Sequence, residues 1–148
     1  MPEEVAIDTT VLVRANITQT LEPSAAALQA ARLALLQRIQ DHRAAVLISA
    51  RLVAEYRRQI TTYKNESVRL FFDLLTQPAG SHVIWNWRTP WGHAERARAL
   101  ACEFPHHDLH VLRTAVRDGR TTMYSEDGRV LAAHPCIRSE FDVMISEP

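Results

Sequence analysis

Two kinds of apolar pattern alternate along the chain. Short unbroken apolar runs, such as "AAVLIS", are separated by longer stretches in which apolar side chains return every three or four positions. The first kind reads as a strand buried on both faces and the second as an amphipathic helix. "EEVAIDTTVLV" is then a first strand that ends at Asp8 and turns into helix. "PSAAALQAARLALLQRIQ" places Leu28, Ala31, Leu35 and Ile39 at helical intervals behind Ser24 as a cap. "ARLVAEYRRQITTY" sets Val53, Tyr56, Ile60 and Tyr63 on one face, and "ESVRLFFDLLTQ" does the same with Val68, Phe71, Phe72 and Leu75, stopped by Pro78. "SHVIWNW" reads as a strand. "PWGHAERARALACEF" resumes a helix near Pro90, with Ala94, Ala97, Ala101 and Phe104 inward. "HHDLHVLRTAVRDG" predicts a helix with Leu109, Leu112 and Val116 inward and Gly119 as its C-terminal cap. "RTTMYS" and "FDVMIS" are closing strands, with "GRVLA" a short turn or helix between them.

Strands that alternate with helices or helix pairs predict an α/β fold around a mostly parallel sheet covered on both faces. Such sheets bind ligands beyond the carboxyl ends of their strands. The 148 residues fit a single domain, 1–148, with no repeat or linker.

Composition narrows the classes. The chain is 47% hydrophobic and 23% charged, as in globular proteins, and no apolar run is long enough to span a bilayer. "MPEEVAID" opens with acids and lacks the basic flank and apolar core of a signal peptide. Cys102 and Cys136 fall at no ligand-like spacing and suggest no disulfide framework, which points to a reducing cytoplasm. Seventeen basic residues balance 17 acidic ones, which gives no hint of a strong nucleic-acid binder. All the basic residues except Lys64 are arginine, though, a side chain that grips phosphate bidentately.

Four acids fall at matching places in this scheme. Asp8 ends the first strand, and Asp127 lies just past the strand "TTMYS". Glu55 and Asp108 each stand in the first turns of a helix, beside its apolar stripe, where strand-to-helix connections bring them to the same rim. Each has an ordinary reading: Asp8 as a helix cap, Asp108 at a helix dipole, Glu55 paired with Arg51 or Arg58, and Asp127 in an Asp-Gly turn. Together they describe a pocket of repelling carboxylates. Such a pocket calls for a compensating cation, and oxygen ligands suit Mg²⁺ or Mn²⁺.

"AIDTTVLV", "LISARLVAEY", "HHDLHVLRTAV" and "MYSEDGRVL" resemble the successive acidic motifs of the PIN-domain family, small metal-dependent ribonucleases, and the likeness extends to "FDVMISEP" as the last strand. The resemblance implies a three-layer α/β/α sandwich with acids around one or two divalent metals. Asp8, Glu55, Asp108 and Asp127 match the four acids in order. Ser125 matches the Ser or Thr that often stands two residues before the fourth, and Thr10 stands where the family often has Asn; both are candidate substrate contacts. Glu126 offers a second carboxylate beside Asp127, and the Ser-x-Asp spacing favours Asp127. The implied activity is cleavage of phosphodiesters in single-stranded RNA. The implied setting is the toxin of a bacterial toxin–antitoxin pair, with an antitoxin over the acidic pocket and a homodimer for which "LFFDLL" offers apolar surface.

Substrate grip is read from arginines and tryptophans. Arg51, Arg57 and Arg58 flank Glu55 and either contact phosphate or form a solvated face. Trp85, Trp87, Trp91 and Arg88 crowd one loop region, as a surface on which bases stack or as core or a dimer contact. His106 and His110, at an i, i+4 spacing, offer a zinc pair, and solvent-exposed histidines are the simpler view. A haloacid-dehalogenase-type phosphatase would need an Asp where Thr10 stands. A non-catalytic PIN-like module that binds RNA or protein, and a DNA- or flap-directed nuclease of the same fold, remain as alternatives.

Overall fold

A computed structural model describes residues 2–18, 22–77, 80, 82–87 and 91–148. Pro78, Arg88 and Pro90, each given a role above, lie outside the described residues. Five strands form one sheet: β1 (Glu3–Ile7), β2 (Ala44–Ile48), β3 (Val83–Trp85), β4 (Thr121–Tyr124) and β5 (Val143–Ser146). The helices are α1 (Thr9–Ala15), α2 (Pro23–Gln40), α3 (Ala50–Gln59), α4 (Glu66–Thr76), α5 (His93–Ala101), α6 (Leu109–Ala115), α7 (Gly128–Ala132) and α8 (His134–Phe141). A 3-10 turn, His106–Asp108, leads into α6.

The strand order is β3-β2-β1-β4-β5, and every pairing is parallel. The chain moves outward from β1 to β3, then crosses back to β4 and on to β5. Right-handed crossovers place α1–α4 on one face and α5–α8 on the other, a three-layer α/β/α sandwich. The direction of winding reverses between β1 and β4. A crevice forms at such a reversal, outside the carboxyl ends of the strands. The register sets Ile7 beside Tyr124, so Asp8 and the residues after β4 leave the sheet as neighbours.

The sheet is buried because its central strands carry no polar alternation. Val5, Ala6 and Ile7 and all of β2 are fully enclosed. Leu35, Leu36 and Ile39 of α2 and Val68, Phe71 and Phe72 of α4 close one side. Leu109, Val111 and Leu112 of α6 lie against β1, β2 and β4. Each such side chain contributes roughly 1.5–3 kcal/mol by leaving water.

Several expectations are corrected. Helix α2 is capped by Glu22 and starts at Pro23, so Ser24 lies inside it. Its inward face is Gln29, Arg32, Leu35, Leu36 and Ile39, while Leu28 is 52% exposed. Polar partners decide this rotation: Gln29 donates to Ala15 O (2.9 Å), and Arg32 reaches Glu126. Helix α3 stops at Gln59, so Tyr63 lies beyond it, stacked on Phe72. Helix α5 turns Ala99 inward and leaves Ala94, Ala97 and Ala101 exposed. Val116 caps α6 with extended backbone. Gly119 stands three residues further on at φ +106°, a conformation L side chains rarely adopt. "LFFDLL" is core: Phe71, Phe72, Leu74 and Leu75 are all buried, which removes it as a dimer surface. Helix α8 had no counterpart among the sequence expectations.

The cysteines are the largest correction. Cys102 at the end of α5 and Cys136 in α8 form a disulfide across 34 residues, with Cα atoms 5.5 Å apart. The argument for a reducing compartment from unpaired cysteines therefore falls away. Among the described residues, no helix is long and apolar enough to cross a membrane.

Candidate active site

Asp8 leaves the end of β1 and anchors the cleft. Its N–H donates to Tyr124 O (2.8 Å), so sheet pairing continues one residue past the strand and fixes the backbone. It stands at the N-cap of α1, yet its side chain makes no capping bond. Its Oδ2 instead accepts from Ser125 Oγ (2.7 Å) and Thr10 Oγ1 (3.2 Å). Each hydroxyl also accepts a backbone N–H from the loop after β4: Asp127 N–H reaches Ser125 (3.1 Å), and Glu126 N–H reaches Thr10 (3.3 Å). One carboxylate oxygen is thereby tied to the loop that carries the fourth acid. Ser125, expected to contact substrate, is fully buried with its hydroxyl on Asp8, whereas Thr10 lines the cleft.

Asp108 closes the 3-10 turn ahead of α6 and also makes no side-chain cap. Burial first, then the charge of Asp8, lift its carboxyl from 3.8 to about 6; Asp127 and Glu55 add to the rise and His107 opposes it. Burial likewise pushes Asp8 above its ordinary value. The hydrogen bonds from Ser125 and Thr10 counter that, and Glu55 and Asp127 reinforce it. Four acids from four separate segments thus act on one another's charge.

Glu55 reaches the rim because Tyr56, the next residue, is fully buried and donates its hydroxyl to Ile7 O at the end of β1. That bond locks α3 against the strand that presents Asp8. Burial, then Asp8 and Glu55, hold the Tyr56 hydroxyl well above its usual range, so it stays protonated and donating. Glu55 Oε2 pairs with His110 Nε2, not with Arg51 or Arg58 as expected. His110 is buried in α6, unlike His106 and His107, so the view of all three as exposed fails for it. His106 contacts Arg96, and the two rings of the suggested zinc pair face different partners.

Adjacent acids meet opposite fates after β4. Glu126 is clamped by Arg32 through two bonds (2.7 Å each) and by Arg14 (3.3 Å). Burial would raise its carboxyl, but these guanidinium groups bring it below its ordinary value. Asp127 spends one oxygen, Oδ1, on the N–H of Arg129 (2.9 Å) as the cap of α7. Asp127 is therefore the acid that acts on Asp8 and Asp108, while Glu126 belongs to a salt-bridge clamp.

The result is a cleft of about 280 Å³ lined by Asp8, Thr9, Thr10, Val13, Arg14, Glu55, Gln59 and Asp108. Arg57 and Arg58, expected to grip phosphate, are exposed in the last turn of α3 and do not line it. Asp8, Glu55 and Asp108 line it, and Asp127 acts on Asp8 and Asp108 from beside it; such oxygen donors suit a hard divalent cation. Among the described residues, no three His, Cys, Asp or Glu side chains stand together as a ready-made metal-ligand group. The donor chemistry fits Mg²⁺ or Mn²⁺, and the carboxylates must draw in to share an ion.

Sequence reasoning missed the bonds made by Tyr56 and His110, and the arginines on Glu126. His110 carried a usable signal, standing two residues after Asp108. The long-range partners of Glu126 carried none. No family model, curated protein or solved structure matches the chain.

Proposed function

We propose that this chain is a divalent-metal-dependent endoribonuclease that cleaves phosphodiesters in single-stranded RNA. The observation that carries the proposal is that Asp8, Glu55 and Asp108 line one cleft with Asp127 acting on their charge, and that Asp108 is raised to about 6. A folded protein gains nothing from such repulsion unless a cation relieves it. The resemblance of the four acidic segments to PIN-domain motifs points the same way, and so does their place at the winding reversal of the sheet.

In this reading Asp8 and Asp108, the most enclosed of the four, hold Mg²⁺ or Mn²⁺ directly, and Glu55 and Asp127 complete the shell directly or through water. A bound ion would supply an acidified water and offset charge on the departing oxygen. Ser125 and Thr10 keep Asp8 aimed, and Arg14, which lines the cleft and reaches Glu126, would add positive charge beside a bound phosphate. Cleavage of single-stranded RNA with Mn²⁺ should be abolished by Asp8→Asn and by Asp108→Asn. Undiminished cutting by either would remove the proposal. RNA and DNA strands assayed side by side separate an RNA-directed from a DNA- or flap-directed enzyme.

A second reading, a PIN-like module that binds RNA or protein without cutting, is favoured by the bonds that already occupy Glu55 Oε2, at His110, and Asp127 Oδ1, at the Arg129 N–H. Metal-independent binding with no turnover in Mg²⁺ or Mn²⁺ would select it. The family resemblance supplies the wider setting: a toxin, an antitoxin that covers the cleft, and a homodimer. Light scattering and co-purification with the product of the upstream gene test those partners. The cytoplasm goes with an RNA substrate, and the Cys102–Cys136 bond pulls against it.

A further inference from the structure

A second cavity opens at the same rim, at the start of α3. It measures about 490 Å³ and is lined by Ser49, Ala50 and Arg51 and by Trp85, Asn86 and Trp87. Trp85 and Trp87 are 49% and 42% exposed, which sets aside the core reading offered for them; Trp91 does pack inward, stacked on Phe141. The segment that carries the exposed pair is firmly held. The Asn86 backbone N–H donates to Ile48 O (2.7 Å), and its side-chain amide donates to Thr114 O (2.7 Å) and Val116 O (2.9 Å). The Arg113 guanidinium lies 3.8 Å from the centre of the Trp87 ring and steadies it from one face.

Two anchored indoles in water form a platform for a flat ligand. Two of the other polar groups are engaged: the Asn86 amide nitrogen makes both of its bonds, and Ser49 Oγ pairs with Thr114 Oγ1 (2.8 Å) and caps Leu52 N–H (3.3 Å). The cavity therefore offers ring faces, while the Asn86 amide donors are spent on backbone carbonyls. Arg51 is exposed and stands one turn before Glu55, so both project from one side of α3. That geometry links the aromatic cavity to the acid cleft.

We propose that this cavity is a stacking subsite for one unpaired nucleobase of a single-stranded nucleic acid, with Arg51 meeting the phosphate that leads from that base towards the acids. The subsite rests on the reading of the acid cleft as a nuclease centre. It sets the distance between a held base and the scissile bond, and it holds any base because every base has a face. Duplex is a poor ligand because its base faces are already stacked.

The test measures binding and not cutting. Every protein carries Asp8→Asn and is kept in Mg²⁺, so that strands stay whole. A labelled single-stranded RNA, its DNA counterpart and an RNA duplex are titrated by anisotropy and by tryptophan quenching. Trp85→Ala and Trp87→Ala should each weaken single-strand binding about 5- to 150-fold, the range of one base–ring stack. Trp85→Phe should retain most of it. Arg51→Ala should weaken binding and flatten its salt dependence.

Unchanged affinity in both alanine variants overturns the subsite, and so does equal affinity for duplex. Should the alanine variants unfold, the quench by single strands and the Trp85→Phe affinity decide, and absence of quenching in the folded Asp8→Asn protein overturns it. Tryptophan-dependent binding of a protein in place of any oligonucleotide also overturns it. Tryptophan-dependent strand binding without cutting by the wild type in Mn²⁺ keeps the subsite and removes the nuclease. Cutting with tryptophan-independent binding does the reverse.

Discussion

Neutralising Asp108 should make the metal-free protein more stable while removing its proposed activity. The rise of its carboxyl from 3.8 to about 6 means the folded protein binds that proton more tightly than the unfolded chain does. A group raised in the folded state contributes stability that is full below about pH 4 and is lost as pH rises to about 6. At roughly 1.4 kcal/mol per unit, the charged form at pH 7 costs the fold up to about 3 kcal/mol. Asp108→Asn keeps the shape, removes the charge and breaks no capping bond, since the side chain makes none. The variant should therefore gain about 1–3 kcal/mol at pH 7, a rise of roughly 2–12 °C in melting temperature for a chain of this size. The assay is thermal melting in EDTA at pH 7 and again near pH 4, where the difference should vanish. Added Mn²⁺ should then stabilise the wild type more than the variant. A variant that melts at or below the wild type at pH 7, or whose gain ignores pH, refutes the argument that these acids repel in an enclosed cleft.

Other outcomes follow from contacts around the cleft. Arg32→Ala leaves Glu126 buried with only the exposed Arg14 as partner, and urea unfolding should show a loss of about 3–5 kcal/mol at pH 7. Tyr56→Phe removes the donor to Ile7 O from a fully buried position and should cost about 1–3 kcal/mol by the same measurement; an unchanged midpoint would show that the bond does not hold α3 to β1. Reduction of Cys102–Cys136 releases a 34-residue constraint and should lower stability by about 2–4 kcal/mol, read as the melting temperature with and without reductant alongside a free-thiol count.

The strands and the rim position of the acids were legible because both depend on local pattern. Runs such as "AAVLI" admit few readings, and an acid at the end of a parallel strand has one rim to face. Helix rotation was less legible. Leu28 and Leu35 obey the same spacing, yet Arg32 and Gln29 turn α2 towards partners far along the chain, at Glu126 and Ala15. The alanines of α5 misled for a different reason: a methyl group gains little from burial, so their period carries little force. Cys102 and Cys136 meet only because α5 and α8 share one face of the sheet, a fact of topology with no trace in spacing. Glu126 and Asp127 could be ranked but not separated, since their difference lies in two arginines more than ninety residues away.

Those arginines explain why the cleft tolerates its own charge. Without Arg14 and Arg32 the loop after β4 would present two carboxylates, and Glu126 would be a fifth source of repulsion beside Asp8. The clamp takes that charge away and ties the loop to α1 and α2 in the same act. The loop so fixed carries Ser125, whose hydroxyl holds Asp8 from one side and receives the N–H of Asp127 from the other. On the far wall Tyr56 and His110 hold Glu55 to β1 and α6. Asp8, Glu55 and Asp127 are thus each held by bonds that leave an oxygen over, and the arginines are used one residue away. A purely structural set of acids would be better served by the opposite arrangement, with Arg32 on Asp8 and the hydroxyls on Glu126. The placement of the compensating charge, more than the presence of the acids, is what supports the proposal of a cation at this cleft.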